Sequence, residues 1–259
     1  MDISLAATWN PRGEFVRFQR LLPQLEQAYA GIVIVYPPIT DARSVKEIQH
    51  IERADQSRHL LLLESKVWAW GRYLALQKAL ELPTTHIQYA DFDRLLRWVE
   101  TCPDEWRQVI ARIQACECLV IGRTATAYAT HPQALVHTEA ISNQVISFLL
   151  GRNMDVSAGS KGFSRRAAEF LVANASPGHA LGTDGEWPVL LHHAGFGVDY
   201  IEVDGLDWES ADRYQERAAS LDDQRRAAKA YDADPQHWAM RAEVALEIVT
   251  CGLAATRRS

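Results

Sequence analysis

The sequence predicts an α/β protein with a mostly parallel central sheet covered by helices on both faces. Three observations carry this. The first 95 or so residues alternate short apolar runs with segments of helical periodicity. Each early apolar run is closed by a turn or breaker. The helical segments are long enough to cross back over a sheet. The chain has 259 residues, 47% of them apolar and 23% charged, enough for one large α/β domain or two small ones with a real core. We divide it into an α/β domain over 1–204 and a charged, largely helical extension over 205–259 that packs on or near the domain's cleft.

Ile3–Ala7 reads as a buried strand ended by Asn10-Pro11-Arg12-Gly13. From Glu14 to Tyr29, Phe15, Phe18, Leu22, Leu25 and Ala28 recur near helical spacing, despite Pro23. Gly31–Tyr36 is a strand stopped by Pro37-Pro38, and Asp41 caps a helix reaching about Ala54. His59–Leu63 is the third strand, Gly71–Glu81 a helix, and Thr85–Ala90 the fourth strand, closing in Asp91-Phe92-Asp93. The second half gives a helix over 104–115, a strand at Cys118–Ile121 and a helix over Leu135–Leu150. A polar, glycine-bearing stretch over 155–163 precedes a helix over Arg165–Ala173. A helix over Thr183–Ala194, a strand at Val198–Val203, a loosely attached charged stretch over 206–234 and a terminal helix over Ala242–Ala255 complete the chain.

In parallel α/β sheets ligands gather beyond the carboxyl ends of the strands, and both the Asn10–Gly13 turn and Asp91/Asp93 lie there. Residues two apart in extended chain point the same way, so Asp91 and Asp93 can share one hard cation, Mg²⁺ or Mn²⁺. The alternative is that Asp91 caps a helix through Arg94–Glu100. Asn10 and Arg12 open a helix whose free N–H groups suit phosphate, or form an ordinary turn. Arg72 is a candidate for the diphosphate, or a solvated arginine. Lys161, Arg165 and Arg166 flank Ser164, which has the chemistry of a helix cap; a phosphate would offset two arginines at a helix N-terminus, and the alternative is that they bend into solvent. Thr183 and Glu186 have capping-box spacing, which leaves Asp184 for general-base work on a hydroxyl, or for the favourable first turn alone. His192 and His193 diverge on their helix, so they cannot share a site, whereas His237 is a third cation ligand if the tail folds over the cleft.

The order of these motifs resembles the family 2-type glycosyltransferases with the GT-A fold, over about residues 3–204: strand–helix repeats, Gly71-Arg72, Asp91-x-Asp93, the loop before Arg165-Arg166, and Gly182-Thr183-Asp184-Gly185-Glu186 before Gly195-Phe196-Gly197. The resemblance implies a nucleoside-diphosphate sugar donor, a hydroxyl-bearing acceptor and Mn²⁺ or Mg²⁺ at Asp91 and Asp93. It places Asp184 as the base of inverting members, Arg72 at a donor contact, and His192, His193 or His237 as a late metal ligand. The chain departs from the pattern at Ala6–Arg12, lacks an obvious acidic nucleotide contact beyond Asp41, and has no Gln-x-x-Arg-Trp motif, which argues against a processive polymerase of that kind. Two other classes stay open: a nucleotidyltransferase, which the lack of a Gly-rich lysine loop disfavours, and a non-catalytic nucleotide-sugar-binding protein.

A net charge of -6 with no basic arm argues against nucleic acid as partner. No apolar run approaches bilayer length and no signal-like N-terminus is present, so the expected setting is cytoplasmic. Cys102, Cys116, Cys118 and Cys251 read as reduced structural thiols. The terminal apolar helix also leaves room for a homo-oligomer.

Overall fold

The computed structural model describes residues 2–54 and 60–258. Seven strands form one sheet: β1 Ile3–Thr8, β2 Ile32–Tyr36, β3 Leu60–Glu64, β4 His86–Asp91, β5 Cys118–Arg123, β6 Ser160–Ser164 and β7 Val198–Val203. Their order is β3-β2-β1-β4-β6-β5-β7. All neighbours are parallel except β6, which runs antiparallel to β4 on one side and β5 on the other. The α/β expectation with a mostly parallel sheet is therefore met. His59, the first residue of the expected third strand, lies outside the described residues.

The helices are α1 Phe15–Ala28, α2 Ala42–Ala54, α3 Gly71–Ala79, α4 Phe92–Thr101, α5 Pro103–Ile113, α6 Ala125–Tyr128, α7 Gln133–Leu150, α8 Arg165–Asn174, α9 Thr183–His193, α10 Leu221–Asp232 and α11 Pro235–Ala255. Alternate strand residues enter opposite layers. Leu5, Ala7, Ile32 and Ile34 join α1, α2, α4 and α5 on one face, and Ala6, Val33 and Val35 join α3, α8, α9 and α11 on the other. Both faces are thus covered, as continuous apolar strands require.

Asp41 caps α2 as expected, accepting from the N–H groups of Arg43 and Ser44 at 3.0 Å each, and Ser164 caps α8. The capping box at Thr183 does not form. Gly182 holds the cap position, the Thr183 hydroxyl donates to the Ala180 carbonyl, and the Glu186 carboxylate takes Arg258 and the Ser176 N–H instead. The expected loose attachment over 206–234 is also corrected. Residues 205–220 form a strap across the carboxyl ends of β1 and β4, fastened by buried ion pairs from Arg17, Arg94 and Arg97 to Asp212, Glu209 and Asp207. Helix α11 continues into the core through Ile248, Cys251 and Ala255. The four thiols are free, and burial pushes those of Cys116 and Cys118 up to about 11 and about 12. None of the described helices is long and apolar enough to cross a membrane.

Candidate functional site

Three aromatic rings set the geometry of the edge. Trp9, Phe18 and Phe92 meet edge to face, with centroids 4.8–5.5 Å apart; such pairs contribute about 1 kcal/mol each beyond burial. Phe92 therefore faces the core, and its two neighbours are left at the carboxyl edge. The same cluster clamps the Asn10–Gly13 turn beside Asp91 and Asp93. Gly13 sits at φ 92°, and a side chain there would run into Tyr214 of the strap, whose N–H donates to the Arg12 carbonyl at 2.9 Å.

Asp91 and Asp93 behave differently. Asp91 occupies the N-cap position of α4 but makes no side-chain cap bond. Its carboxylate turns to Arg72, which reaches both oxygens at 2.9 and 3.0 Å, while the hydroxyls of Tyr89 and Thr8 donate at 2.8 and 3.3 Å. Gly159 brings its backbone so close that an added Cβ would fall 2.3 Å from Asp91 Oδ2. Asp93 has Arg12 at 3.5 Å and one bond from the Arg94 N–H. Burial and the charge of Glu209 push the Asp93 carboxyl up to about 7, with Arg12 opposing. A buried acid with an elevated pKa among other acids draws either a proton or a cation.

Arg72 is the hinge of a buried chain of charges. Beyond Asp91 it pairs with Asp184 at 2.9 Å, and Asp184 pairs with Lys161 at 2.5 Å. Against the cost of burial, Asp184 and Asp91 hold the guanidinium well above its usual range, and Arg72 and Lys161 hold Asp184 below the usual carboxylate range. Asp184 thus has both oxygens engaged and is almost sealed from solvent. That geometry offers an anchor for two cations; a general base needs a free oxygen facing its substrate.

The remaining candidates divide. Asn10 lies exposed in the first turn, beside the site. Arg165 is at the opposite end of the sheet, because antiparallel β6 delivers it to the start of β4. There its guanidinium binds the carbonyls of Leu80, Leu82 and Thr84. Arg166 accompanies it, paired with Glu117. His192 and His193 end α9, away from Asp184 at its start, and are exposed. His237 stacks on Tyr231 with centroids 3.8 Å apart and binds the Tyr231 carbonyl through Nδ1. Among the described residues no three His, Cys, Asp or Glu side chains form a metal-holding group. His237 is therefore not brought to Asp91 and Asp93 as a third ligand.

Some members of the site escaped sequence reading. Tyr89 carries a readable signal, since it is two residues before Asp91 on the same strand. Arg213 does not: it lies on the exposed side of the strap, where partial burial and the Arg12 charge hold its guanidinium below the usual range.

No family model matches the chain, and no curated protein matches it significantly. Among solved structures, it is similar to 4-diphosphocytidyl-2C-methyl-D-erythritol synthase from Anaerococcus prevotii, with a TM-score of 0.49 and 8% identity, covering 90% of this chain and 98% of that one. TarS (residues 1–349) from S. aureus gives a TM-score of 0.47 and 10% identity, covering 99% of this chain and 73% of that one. Glucosyl-3-phosphoglycerate synthase from Mycobacterium tuberculosis, in complex with Mn²⁺, UDP and phosphoglyceric acid, gives 0.42 and 10%, covering 93% and 78%. At these values the likeness assigns no activity to the chain.

Proposed function

We propose that the chain is a glycosyltransferase that takes a sugar from a nucleoside-diphosphate donor to a hydroxyl acceptor. The observation that carries this is the arrangement at the carboxyl ends of β1 and β4: Arg12 lies 3.5 Å from Asp93, whose carboxyl is pushed up by burial and Glu209, and the exposed Arg213 of the strap feels the Arg12 charge. Positive charge facing solvent at this edge suits an anion, and a diphosphate supplies one. The turn before α1 adds backbone N–H groups on the same side.

A divalent cation fits the site through Asp93, whose Oδ2 has, among the described residues, the distant Arg12 as its ion-pair partner. Asp91, already holding Arg72, has little capacity left. Mg²⁺ and Mn²⁺ accept such a shell when phosphate oxygens and water complete it. When bound, the cation supplies charge neutralisation for the departing diphosphate. Arg12 and Arg213 orient that diphosphate and share its charge. Arg72 fixes Asp91 and ties it to Asp184, so that the edge keeps its shape when charge changes during transfer. Lys161, spent on Asp184, is not free to grip a triphosphate, which counts against nucleotidyl transfer.

The test is calorimetric titration with UDP, GDP and their sugar conjugates, each with and without Mn²⁺. Binding of a nucleoside diphosphate that weakens about tenfold or more in Arg12→Ala and Arg213→Ala is expected. Failure of every nucleotide to bind, with or without the cation, overturns the reading.

A further inference from the structure

A cavity of about 980 Å³ is lined by the strap, chiefly residues 214–220, and by the first turns of α10. None of the groups assigned to the diphosphate lines it. Tyr214 joins it to the donor edge, because its N–H donates to the Arg12 carbonyl at 2.9 Å and its ring rests against Gly13. Tyr214 is also held in a costly conformation. Its φ of 60° lies in the left-handed region, and among the described residues no other non-glycine has a positive φ. There Cβ crowds the following carbonyl, so a bulky residue seldom adopts it. Burial does not compensate, since the side chain is 80% exposed. The facing turn is shaped to match: Gly13, at φ 92°, has no room for a Cβ, which would fall 2.6 Å from Tyr214 Cδ1. Two special backbone positions thus present one aromatic ring to an open cavity. Strain that buries nothing points to a ligand rather than to stability.

The other lining groups define what fits. Arg217 and Arg226 are offset by Glu216 and Asp223, and Arg226 is already paired with Asp223. A phosphate would meet both carboxylates, so the balance favours an uncharged ligand. The amide of Gln215 and the guanidinium of Arg217 lie exposed on the same walls, and both can bond carbonyl or ring-nitrogen acceptors. A nucleobase combines these properties: it is neutral, it has a flat face to stack on a tyrosine, and its edge is polar. It also has the right tether. Arg213 precedes Tyr214 in the chain and Arg12 is bonded to it, and these two arginines face the diphosphate in the donor reading; one ribose separates that diphosphate from its base. Asp41, the acid that the sequence offers for the nucleotide, is occupied in capping α2, with its carboxylate taken by the N–H groups of Arg43 and Ser44 and by the Ser44 hydroxyl at 2.7 Å.

We infer that the nucleobase of the donor stacks on Tyr214 in the strap cavity, with Gln215 and Arg217 bonding its edge. Resting on the transferase reading, this gives the strap, rather than the loops of the sheet, the recognition of the nucleoside.

Calorimetric titration of the full chain with UDP, GDP, pyrophosphate and methyl glucoside, each with Mg²⁺, tests it. The wild type should bind UDP or GDP about tenfold or more tighter than pyrophosphate. Tyr214→Asn, which tolerates the left-handed conformation but lacks the ring, should lose that advantage and keep its affinity for pyrophosphate. Tyr214→Phe, which keeps the ring, should bind the nucleotide within about twofold of the wild type. A purely structural role for Tyr214 would weaken pyrophosphate and nucleotide together in Tyr214→Asn, and that result overturns the inference. So does a nucleotide affinity that Tyr214→Asn leaves unchanged, or binding of methyl glucoside that this variant abolishes in place of nucleotide binding, which would assign the ring to an acceptor sugar. Nucleotides bound no tighter than pyrophosphate remove the base site alone. Failure of pyrophosphate and nucleotides alike removes the transferase reading with it.

Discussion

At Asp91 and Asp93, the same residue type two positions apart has two chemistries because the surroundings differ. Asp91 is saturated by Arg72, Tyr89 and Thr8, and Asp93 is left among acids. The sign of the pH effect follows. A carboxyl whose folded pKa is raised binds its proton more tightly when folded, so its contribution to stability declines as pH rises from about 4 to about 7 and is constant above. Asp93→Asn should therefore be more stable than the wild type at pH 7.5 and nearly equal to it at pH 4, as urea unfolding at the two values would show. An opposite trend would mean that Arg12 outweighs burial and Glu209. Asp184 poses a sharper choice. If it anchors Arg72 and Lys161, Asp184→Asn strands two buried cations, lowers stability by about 3–5 kcal/mol and weakens donor binding. If it is only a base, the same variant keeps its melting temperature and donor affinity and loses turnover alone.

At the level of single elements, β6 and the strap show what the sequence conceals. Residues 155–163 read as a polar, glycine-bearing stretch, which hides β6 over Ser160–Ser164 because a lysine sits within it. Lys161 is fully buried, a position a lysine takes only with a partner, and that partner is Asp184 on α9. No local pattern can announce a pairing made 23 residues downstream. The first four strands were legible for the opposite reason: their apolar runs end at local breakers. The edge itself was half legible. Strand order puts the Asn10–Gly13 turn and Asp91/Asp93 at one edge, and Arg72 is only a candidate at the start of its helix, while Arg213 depends on a strap whose path is set by Arg17, Arg94 and Arg97 from other helices. Asp212 is the strap's main fastening, taking Arg17 at 2.9 Å and Arg97 at 2.7 Å. Asp212→Ala should release it, giving faster hydrogen exchange over 205–220 and weaker nucleotide binding with the β1–β4 sheet still protected. Unchanged exchange in the strap would show that Glu209 and Asp207 suffice.

Across the whole molecule, a set of cations lies inside. Arg17, Arg72, Arg94, Arg97, Arg123 and Lys161 are all buried and all paired with acids. Ion pairs of this kind add little net stability but make the loss of one partner severe. Arg72→Met, which leaves Asp91 and Asp184 without their shared cation, should cost about 3–5 kcal/mol in chemical denaturation; a cost below about 1 kcal/mol would mean that water replaces the guanidinium. A cation bound at Asp93 would act in the opposite sense. Mn²⁺ at a hundredfold its dissociation constant should raise stability by about 2.7 kcal/mol, and the gain should vanish in Asp93→Asn.

The antiparallel strand has one further consequence, for the order in which the chain assembles. Strands β3, β2, β1 and β4 form one parallel block, β5 and β7 another, and β6 is the stitch between them. It is five residues long, and the lysine at its centre is tolerable only after α9 has delivered Asp184. The N-terminal block is built from near neighbours in sequence and can form early. The seam beside β6 should close last and open first. Pulse-labelled exchange during refolding should find β1 and β4 protected before β5 and β7, and Lys161→Met should abolish the lag, since a methionine can be buried without waiting for a partner.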